Sequence, residues 1–331
     1  MSERFDSSDE MAELRLHYHA GAGHLESFQS GAKQLRKGFG SGLTSGNANA
    51  AFYCAIQGTF FSIISGEKEL TLILQEIDYY LNLLKTYKSE MTRHYLLCYH
   101  ETVSLLIDKG EATGIEAKLC YGDVCDPGNK LLEVYYFHMV FRNYWLGYTE
   151  RSNHYVQKYD GILQPRYFEA YIIKFYHGKL QPVYFGRHAR IHSHAPLFFN
   201  AALNILTMLK KKKNMPQSEK VDKIIESMKP AASHADSNFR NKLELLEAEQ
   251  YGVDNYHDKA RASYAAAIAS ARKTKFIHEQ GLACEKAGFY YKRMKDNEKS
   301  LEYFNQAREC YAEWGSTWKV ESIQRELDKL M

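Results

Sequence analysis

A cluster of histidines carries the side chains best suited to bind a metal ion. His188, His192 and His194 precede Pro196, and on a helix the first two would share one face, as zinc ligands can. The cluster contains two arginines and no acidic residue that could complete or orient a metal site. A positively charged loop is therefore the favoured interpretation, and a metal-dependent enzyme that uses these histidines is the alternative.

Cysteine thiolates are the second group of candidate metal ligands. Cys120 and Cys125 lie close together in the run CYGDVCDPG, but a structural zinc site needs two ligands more than this pair supplies. Two free thiols in a loop are the favoured interpretation. The other cysteines lie in helical patterns and are predicted to be small buried residues: Cys54, Cys98, Cys284 and Cys310. We predict no metal and no other cofactor.

Signatures of nucleotide chemistry are absent from the sequence. No phosphate-binding loop of the form GxxxxGKS or GxxxxGKT occurs, and the glycines between Gly38 and Gly46 lack the lysine that such a loop needs. No protein-kinase or histidine-kinase motif occurs, and no Ser–His–Asp or Cys–His arrangement follows from the spacing. We therefore predict that the chain is not an enzyme.

Composition and charge are those of an ordinary globular protein. The 331 residues are 45% hydrophobic and 25% charged, with a formal net charge of +3, which by itself is too small to indicate a nucleic-acid partner. No apolar run reaches the roughly 18 to 20 residues of a membrane helix, and the acidic N-terminus lacks the character of a signal or transit peptide. We expect a cytoplasmic protein that does not bind membranes.

One basic run, Lys210–Lys213, ends an apolar helical pattern. Cations at a helix C-terminus are favoured by the helix dipole, so a solvated helix end is the favoured interpretation. A nucleic-acid-binding repeat protein is the alternative, and strongly salt-dependent binding to RNA would be needed to support it. We expect that nucleic acid is not the partner.

The elements that must position any site are helices. The chain has six prolines, and apolar residues recur at spacings of three and four over long segments. Near the C-terminal end the pattern repeats after forty residues, with small residues where two helices must approach closely and aromatic residues where they fill the gap. The matching pairs are Ala248 and Gly288, Tyr251 and Tyr291, Ala260 and Ser300, Tyr264 and Phe304, and Ala267 and Ala307. This pattern predicts an all-α, tetratricopeptide-like α-solenoid of antiparallel helical hairpins.

Turn residues and helical periodicity divide the chain into three parts. Residues 1–24 are a polar N-terminal segment, so the first helix is expected to begin near Leu25. Residues 25–230 are predicted to form divergent helical hairpins. Residues 231–331 are predicted to form two clear repeats followed by a capping helix.

Local signals predict several helix ends. A helix that starts near Ser218 is expected to end before Pro230, because proline removes a backbone donor. Asp296 or Asn297 is predicted to cap the next-to-last helix. Trp314 is interpreted as packing over small residues at a turn between helices, and an exposed anchor for a partner is the alternative.

Five short segments resemble a known repeat region. They are NFRNK at Asn238–Lys242, YAAAIASA at Tyr264–Ala271, HEQGLACE at His278–Glu285, AGFY at Ala287–Tyr290 and YAEWGS at Tyr311–Ser316. Over about residues 238–323 the chain resembles the tetratricopeptide-like region that follows the ATPase module in large multidomain AAA-ATPase and hybrid histidine kinase signalling proteins. The resemblance implies a repeat scaffold in a signalling setting and supplies no catalytic residues.

The predicted function is the binding of a protein or peptide partner. In such solenoids a peptide or helix docks on the groove lined by the first helix of each hairpin. The predicted partner-binding residues are Lys242, Leu245, Glu249, Glu285, Phe289 and Lys292. Their mixed charge argues against a partner recognised by one sign of charge alone, and Phe289 is the predicted anchor. The alternative is a sensory or regulatory subunit of a kinase or ATPase signalling assembly.

Overall fold

The computed structural model of the chain describes residues 8–21, 26–108, 130–148, 150–152, 154–155, 203 and 218–331. The Cys120 and Cys125 pair, the histidines from His188 to His194 and the run Lys210–Lys213 lie outside these described residues. Within them the regular elements are helices, and no strand occurs.

The N-terminal helices of the described chain form hairpins. Their bounds are Ser8–Gly21 for α1, Phe28–Thr44 for α2, Ala48–Ser65 for α3, Leu70–Tyr87 for α4, Glu90–Ile107 for α5 and Lys130–Trp145 for α6. Helix α1 packs on α2 and α3, α2 packs on α3, α4 packs on α5, and α5 packs on α6. Because the turns between α2 and α5 are short, successive helices run antiparallel.

The C-terminal helices form a regular array. Their bounds are Ser218–His234 for α7, Asp236–Val253 for α8, His257–Thr274 for α9, Ile277–Arg293 for α10, Asn297–Trp314 for α11 and Thr317–Asp328 for α12. Each of these helices packs on the next, and α8 also contacts α10. The prediction of an all-α array of stacked antiparallel hairpins is confirmed.

Small residues lie where these helices cross. The predicted crossing residues are all buried: Ala248, Ala260, Ala267, Gly288 and Ala307. A methyl group added at Gly288 would lie 2.7 Å from two carbon atoms of the Phe304 ring. The Ser300 hydroxyl donates a hydrogen bond to the Gly288 carbonyl oxygen at 3.0 Å. The register predicted from the forty-residue repeat is therefore confirmed in α10 and α11.

Both ends of α11 follow the sequence signals. The Asp296 side chain accepts a hydrogen bond from the Lys299 amide at 3.1 Å, so Asp296 is the N-cap. At the other end Gly315 adopts the left-handed backbone conformation with φ of 84°, and Trp314 is completely buried. The interpretation of Trp314 as a packing residue is confirmed, and so is the predicted burial of Cys54, Cys98, Cys284 and Cys310.

The polar N-terminal segment contains a helix that the sequence pattern does not predict. In α1 the side chains of Ala12 and His19 are buried, and Leu16 packs against the core. The Arg15 guanidinium donates a hydrogen bond to the Ser41 hydroxyl at 3.1 Å. Because the buried stripe consists of Ala, Leu and His, its apolar periodicity is weak, and the expected start of the first helix near Leu25 is wrong.

Helix α7 also departs from the prediction. It continues through Pro230 to His234, although proline was expected to end it. Ala231 and Ala232 after the proline are buried in the core, and this packing stabilises the last turn. The boundary predicted between residues 230 and 231 therefore falls inside a helix.

The start of α2 and the end of α5 lie against turns of the C-terminal hairpins. The Asn238 side chain accepts a hydrogen bond from the Phe28 amide at 3.0 Å and donates one to the Glu26 carbonyl oxygen at 2.6 Å. At the turn between α11 and α12, the Ser316 hydroxyl donates to the Leu106 carbonyl oxygen at 2.5 Å. These bonds join residues more than 200 positions apart and tie the two parts of the chain together.

Aromatic rings fill the same contact. Phe28 lies edge-on to Phe239 and Phe276, with ring centroids 6.0 and 6.4 Å apart. Trp145 at the end of α6 lies 5.2 Å from Trp314 at the end of α11. These residues belong to one apolar core that includes both parts of the chain.

Candidate partner-binding surface

Lys242 on α8 forms an ion pair that is closed off from water. Its Nζ lies 2.7 Å from Oε2 of Glu279 on α10, and the two side chains are 0% and 3% exposed. The ammonium group also donates to the Asn238 carbonyl oxygen at 2.8 Å and lies 4.2 Å from the centre of the Phe276 ring. The Asn241 amide donates to the same Glu279 oxygen at 2.5 Å. The pair therefore links α8 to α10.

Burial governs the electrostatics of this pair. Loss of hydration lowers the pKa of Lys242 and raises the pKa of Glu279, and their mutual attraction opposes both shifts only in part. Removing water from two charges costs several kcal/mol for each ion, so such a pair adds little net stability but is costly to break. Its role is to hold two helices together.

Leu245 and Glu249 lie on the same helix and are buried as well. Leu245 is 1% exposed and Glu249 is 0% exposed. The Tyr264 hydroxyl of α9 donates a hydrogen bond to Oε1 of Glu249. Burial and then the Glu249 charge raise the pKa of Tyr264, so the phenol stays protonated and remains a donor.

The expectation that Lys242, Leu245 and Glu249 line an open groove is therefore wrong. Helix α8 is packed against α7, α9 and α10, and its Asn238 holds the segment that leads into α2. These neighbours cover the stripe that periodicity assigns to a groove. This half of the predicted site has no surface that a partner could reach in the folded chain.

The other half of the predicted stripe lies at the seam between α10 and α12. Oε2 of Glu285 accepts hydrogen bonds from the Lys319 ammonium at 2.6 Å and from the Tyr311 hydroxyl at 2.5 Å. The Lys292 ammonium donates to Oε2 of Glu326 at 2.8 Å. Both ion pairs join residues 34 positions apart and link α10 to α12. We call these two ion pairs the rungs of the seam.

The carboxylates of these rungs stay ionised. Burial alone would raise the pKa of both acids. The charge of Lys319 contributes most to holding the pKa of Glu285 below its usual value, and hydrogen bonds from Lys292 and Lys329 do the same for Glu326. The Lys292 and Glu326 side chains are 31% and 17% exposed, so this rung is accessible to solvent.

Phe289 lies on α10 between the two rungs. Its ring is partly buried and packs edge-on to Phe304, with centroids 5.0 Å apart and ring planes at 81°. Ile323 on α12 stands 34 residues later and is buried. Of the six predicted residues, Phe289 is the apolar side chain that keeps exposed surface. We name the five residues of this region the seam surface: Glu285, Phe289, Lys292, Lys319 and Glu326.

Sequence reasoning missed Lys319 and Glu326. The repeat period gives no signal for them. The two ion pairs join residues 34 positions apart, whereas α10 and α12 begin forty positions apart, so the forty-residue register does not point to these positions. The partner-binding role of the seam surface stays a prediction.

Other kinds of site find no support in the described part of the chain. Among its residues no group of three His, Cys, Asp or Glu side chains is placed to hold a metal ion. None of its helices combines the length and apolar character that crossing a membrane requires.

Comparison with known proteins adds no relative. No family model matches the chain, and neither a curated protein nor a solved structure matches it. The resemblance to the repeat region of signalling kinases therefore stays a prediction from the sequence motifs.

Proposed function

We propose that the chain is a non-catalytic protein-interaction module whose C-terminal hairpins bind a protein or peptide partner at the seam surface. The observation that carries the proposal is the placement of Phe289. Its ring is partly exposed on a packed helix and lies between two ion pairs, as in a recognition site where an apolar anchor is surrounded by polar groups. The cytoplasmic location and the signalling setting are part of the same proposal.

The charge of the seam surface defines the kind of partner. Each rung contains one acid and one base. The Lys319 and Glu285 side chains are only 9% and 15% exposed, so the accessible charges of both signs beside the apolar contact come mainly from Lys292 and Glu326. An amphipathic helix or an extended peptide with an apolar residue and mixed polar neighbours matches this arrangement. The partner does not need a strong net charge.

Substitution of Phe289 tests the proposal. The partners of the wild-type chain are identified by capture from native lysate with mass spectrometry, and their affinities are then measured with purified proteins. Phe289→Ala should weaken binding by about 1 to 3 kcal/mol, or roughly 5-fold to 150-fold. The matched control is Tyr256→Ala, which removes a ring that is 57% exposed and outside the seam surface.

Folding of the variant must be measured alongside affinity. Phe289→Ala should cost less than the roughly 3 to 5 kcal/mol of a fully buried Phe deletion, because the ring is only partly buried. Full affinity of a folded Phe289→Ala variant for every partner would place recognition elsewhere. A variant that does not fold would show that Phe289 is a core residue and that the assignment is wrong.

The same preparation tests the competing functions. We expect no saturable micromolar binding of ATP, because the sequence lacks a phosphate-binding loop. A metal-dependent enzyme would reveal itself by stoichiometric metal in elemental analysis. Capture of an ATPase or kinase would favour the alternative that the chain is a regulatory subunit of a signalling assembly.

A further inference from the structure

His278 lies where the two parts of the chain meet. It stands in the first turn of α10, and its ring is enclosed by Trp145 from α6 and Trp314 from α11, each with its centroid 5.1 Å away. The Phe276 ring lies nearly parallel to it at 6.2 Å. The imidazole is 1% exposed, so it titrates only if the contact around it opens.

The turn between α3 and α4 closes the remaining side of the ring. The imidazole forms a hydrogen bond with the backbone of Ile64. Gly66 adopts a left-handed conformation with φ of 59°, and a side-chain carbon there would lie 2.2 Å from Nδ1 of His278. Nδ1 is buried and has no hydrogen-bond partner among the described residues. A proton on Nδ1 would therefore point at the Gly66 backbone without an acceptor.

The charges that face the imidazole come from two helices. Lys242 on α8 repels a positive ring, and Glu279 on α10 itself has Oε1 3.9 Å from Nε2 of His278. The other oxygen of that carboxylate is already bonded to Lys242 and Asn241. The remaining elements present indole rings and the backbone of the α3–α4 turn. Oε1 of Glu279, at 3.9 Å from Nε2, lies beyond hydrogen-bond distance, so a protonated ring gains no hydrogen-bonded carboxylate there.

We propose that His278 is a pH-sensitive latch. While its ring is neutral it holds the α3–α4 turn and the end of α6 against the C-terminal hairpins, and its protonation releases them. This conformational device is independent of the proposed function, because it acts at the contact between the two parts of the chain and not at the seam surface.

The direction of the pH effect follows from proton linkage. Burial and then Lys242 lower the pKa of His278 well below its usual value. The closed state therefore excludes a proton that the open state binds below about pH 6.5, the ordinary pKa of histidine. Stability of the contact is full above that pH and falls as the pH drops through it. The population of the open state should rise about tenfold between pH 7.5 and 5.5.

Hydrogen exchange on the full chain tests the latch. Exchange is measured from pH 7.5 to 5.5 and corrected for the intrinsic pH dependence of amide exchange. The protection factors of peptides that cover residues 62–70 and 277–284 should fall about tenfold, while the protection factors of α8 and α9 should fall less. In His278→Phe, which keeps a ring and removes the titration, that local loss should disappear.

Two further histidines serve as controls. His234, at the end of α7, is exposed, so His234→Gln should leave the pH dependence unchanged. His138 is buried between α5 and α6 with a pKa lowered to about 3 by burial and by Arg142, so His138→Gln should leave the acid-induced opening at residues 62–70 intact.

Two results would overturn the latch. One is an acid-induced loss of hydrogen-exchange protection at residues 62–70 that is equally large in the wild-type chain and in His278→Phe. The other is a loss of protection in the wild-type chain that is uniform over all helices, and this second measurement decides the matter even if His278→Phe does not fold.

Discussion

Gly288 lies where α10 crosses α11, and its missing side chain sets how closely the two helices approach. A methyl group there would meet the Phe304 ring at 2.7 Å, which is closer than packed carbon atoms allow. Gly288→Ala should therefore destabilise the chain, and Gly288→Leu should cost on the order of 1 to 3 kcal/mol through overpacking. The free energy of unfolding in urea measures both effects.

A second glycine provides the matched control at this scale. Gly40 lies inside α2 with no neighbour within 4 Å of the position that a side-chain carbon would take. Gly40→Ala should therefore stabilise the chain by up to about 1 kcal/mol through helix propensity. If Gly288→Ala did not destabilise the chain, the crossing at Gly288 would be placed wrongly.

The buried ion pair leads to a second prediction for single residues. Lys242→Met should cost about 3 to 5 kcal/mol, because it leaves Glu279 buried without its partner. The double variant Lys242→Met, Glu279→Leu should be less destabilised than that single variant, since it removes both charges. The exposed pair of Lys229 and Glu226 is the comparison, for which a loss below about 1 kcal/mol is expected. If the loss of stability in the double variant equalled the sum of the losses in the two single variants, this account of the buried pair would be contradicted.

Sequence reasoning succeeds for Gly288 and fails for Lys242 for a physical reason. The repeat fixes which positions of α10 and α11 face each other, so Gly288 and Ala267 are predictable as close-contact residues. The repeat does not fix whether the opposite face of such a helix is also buried, because that depends on helices from distant parts of the sequence. Lys242 is polar, and periodicity alone places it towards solvent. The structure buries it because α10 and the segment before α2 pack over it.

At the scale of a single helix, the N-cap of α11 provides the clearest test. The sequence leaves Asp296 and Asn297 as alternatives, and the structure gives the cap to Asp296. Asp296→Ala should cost about 0.5 to 2 kcal/mol, because the Lys299 amide loses its acceptor. Asn297→Ala removes a similar polar side chain in the first turn and should change stability by less than about 0.5 kcal/mol. Thermal unfolding compares the two, and a reversed order would assign the cap to Asn297.

The helix bounds show what apolar periodicity and the capping or helix-breaking residues can predict. The cap of α11 at Asp296 follows from a local residue, whose side chain acts within one turn. The course of α7 through Pro230 does not, because Ala232 after the proline is held by tertiary packing. Helix α1 was missed for a similar reason, since its Ala12 and His19 reveal their burial only through partners on α2 and α3.

At the scale of the whole molecule, the main feature is the contact between the N-terminal helices and the turns of the C-terminal hairpins. It joins Ser316 to Leu106 and Asn238 to Phe28 across 210 positions of sequence. A forty-residue repeat describes how neighbouring hairpins stack, and it contains no information on which distant helices cover their ends. The candidate site was predicted on α8 and α10, and its three residues on α8 turned out to be covered, while the partner-binding role of its residues on α10 stays a prediction.

This contact predicts that the N-terminal and the C-terminal helices are energetically coupled, so that damage to one part lowers the stability of the other. Trp145 on α6 is 2% exposed and touches both His278 and Trp314. Trp145→Ala should cost about 3 to 5 kcal/mol, as expected for a large buried aromatic residue. Because the indole lies on the C-terminal hairpins, the loss of hydrogen-exchange protection should extend into α10 and α11 as well as α5 and α6.

Met91→Ala is the control, since that side chain is 54% exposed and should change stability by less than about 0.5 kcal/mol. Unchanged protection of α10 and α11 in Trp145→Ala would mean that the two parts of the chain are energetically independent, and that the contact between them does not stabilise the repeats.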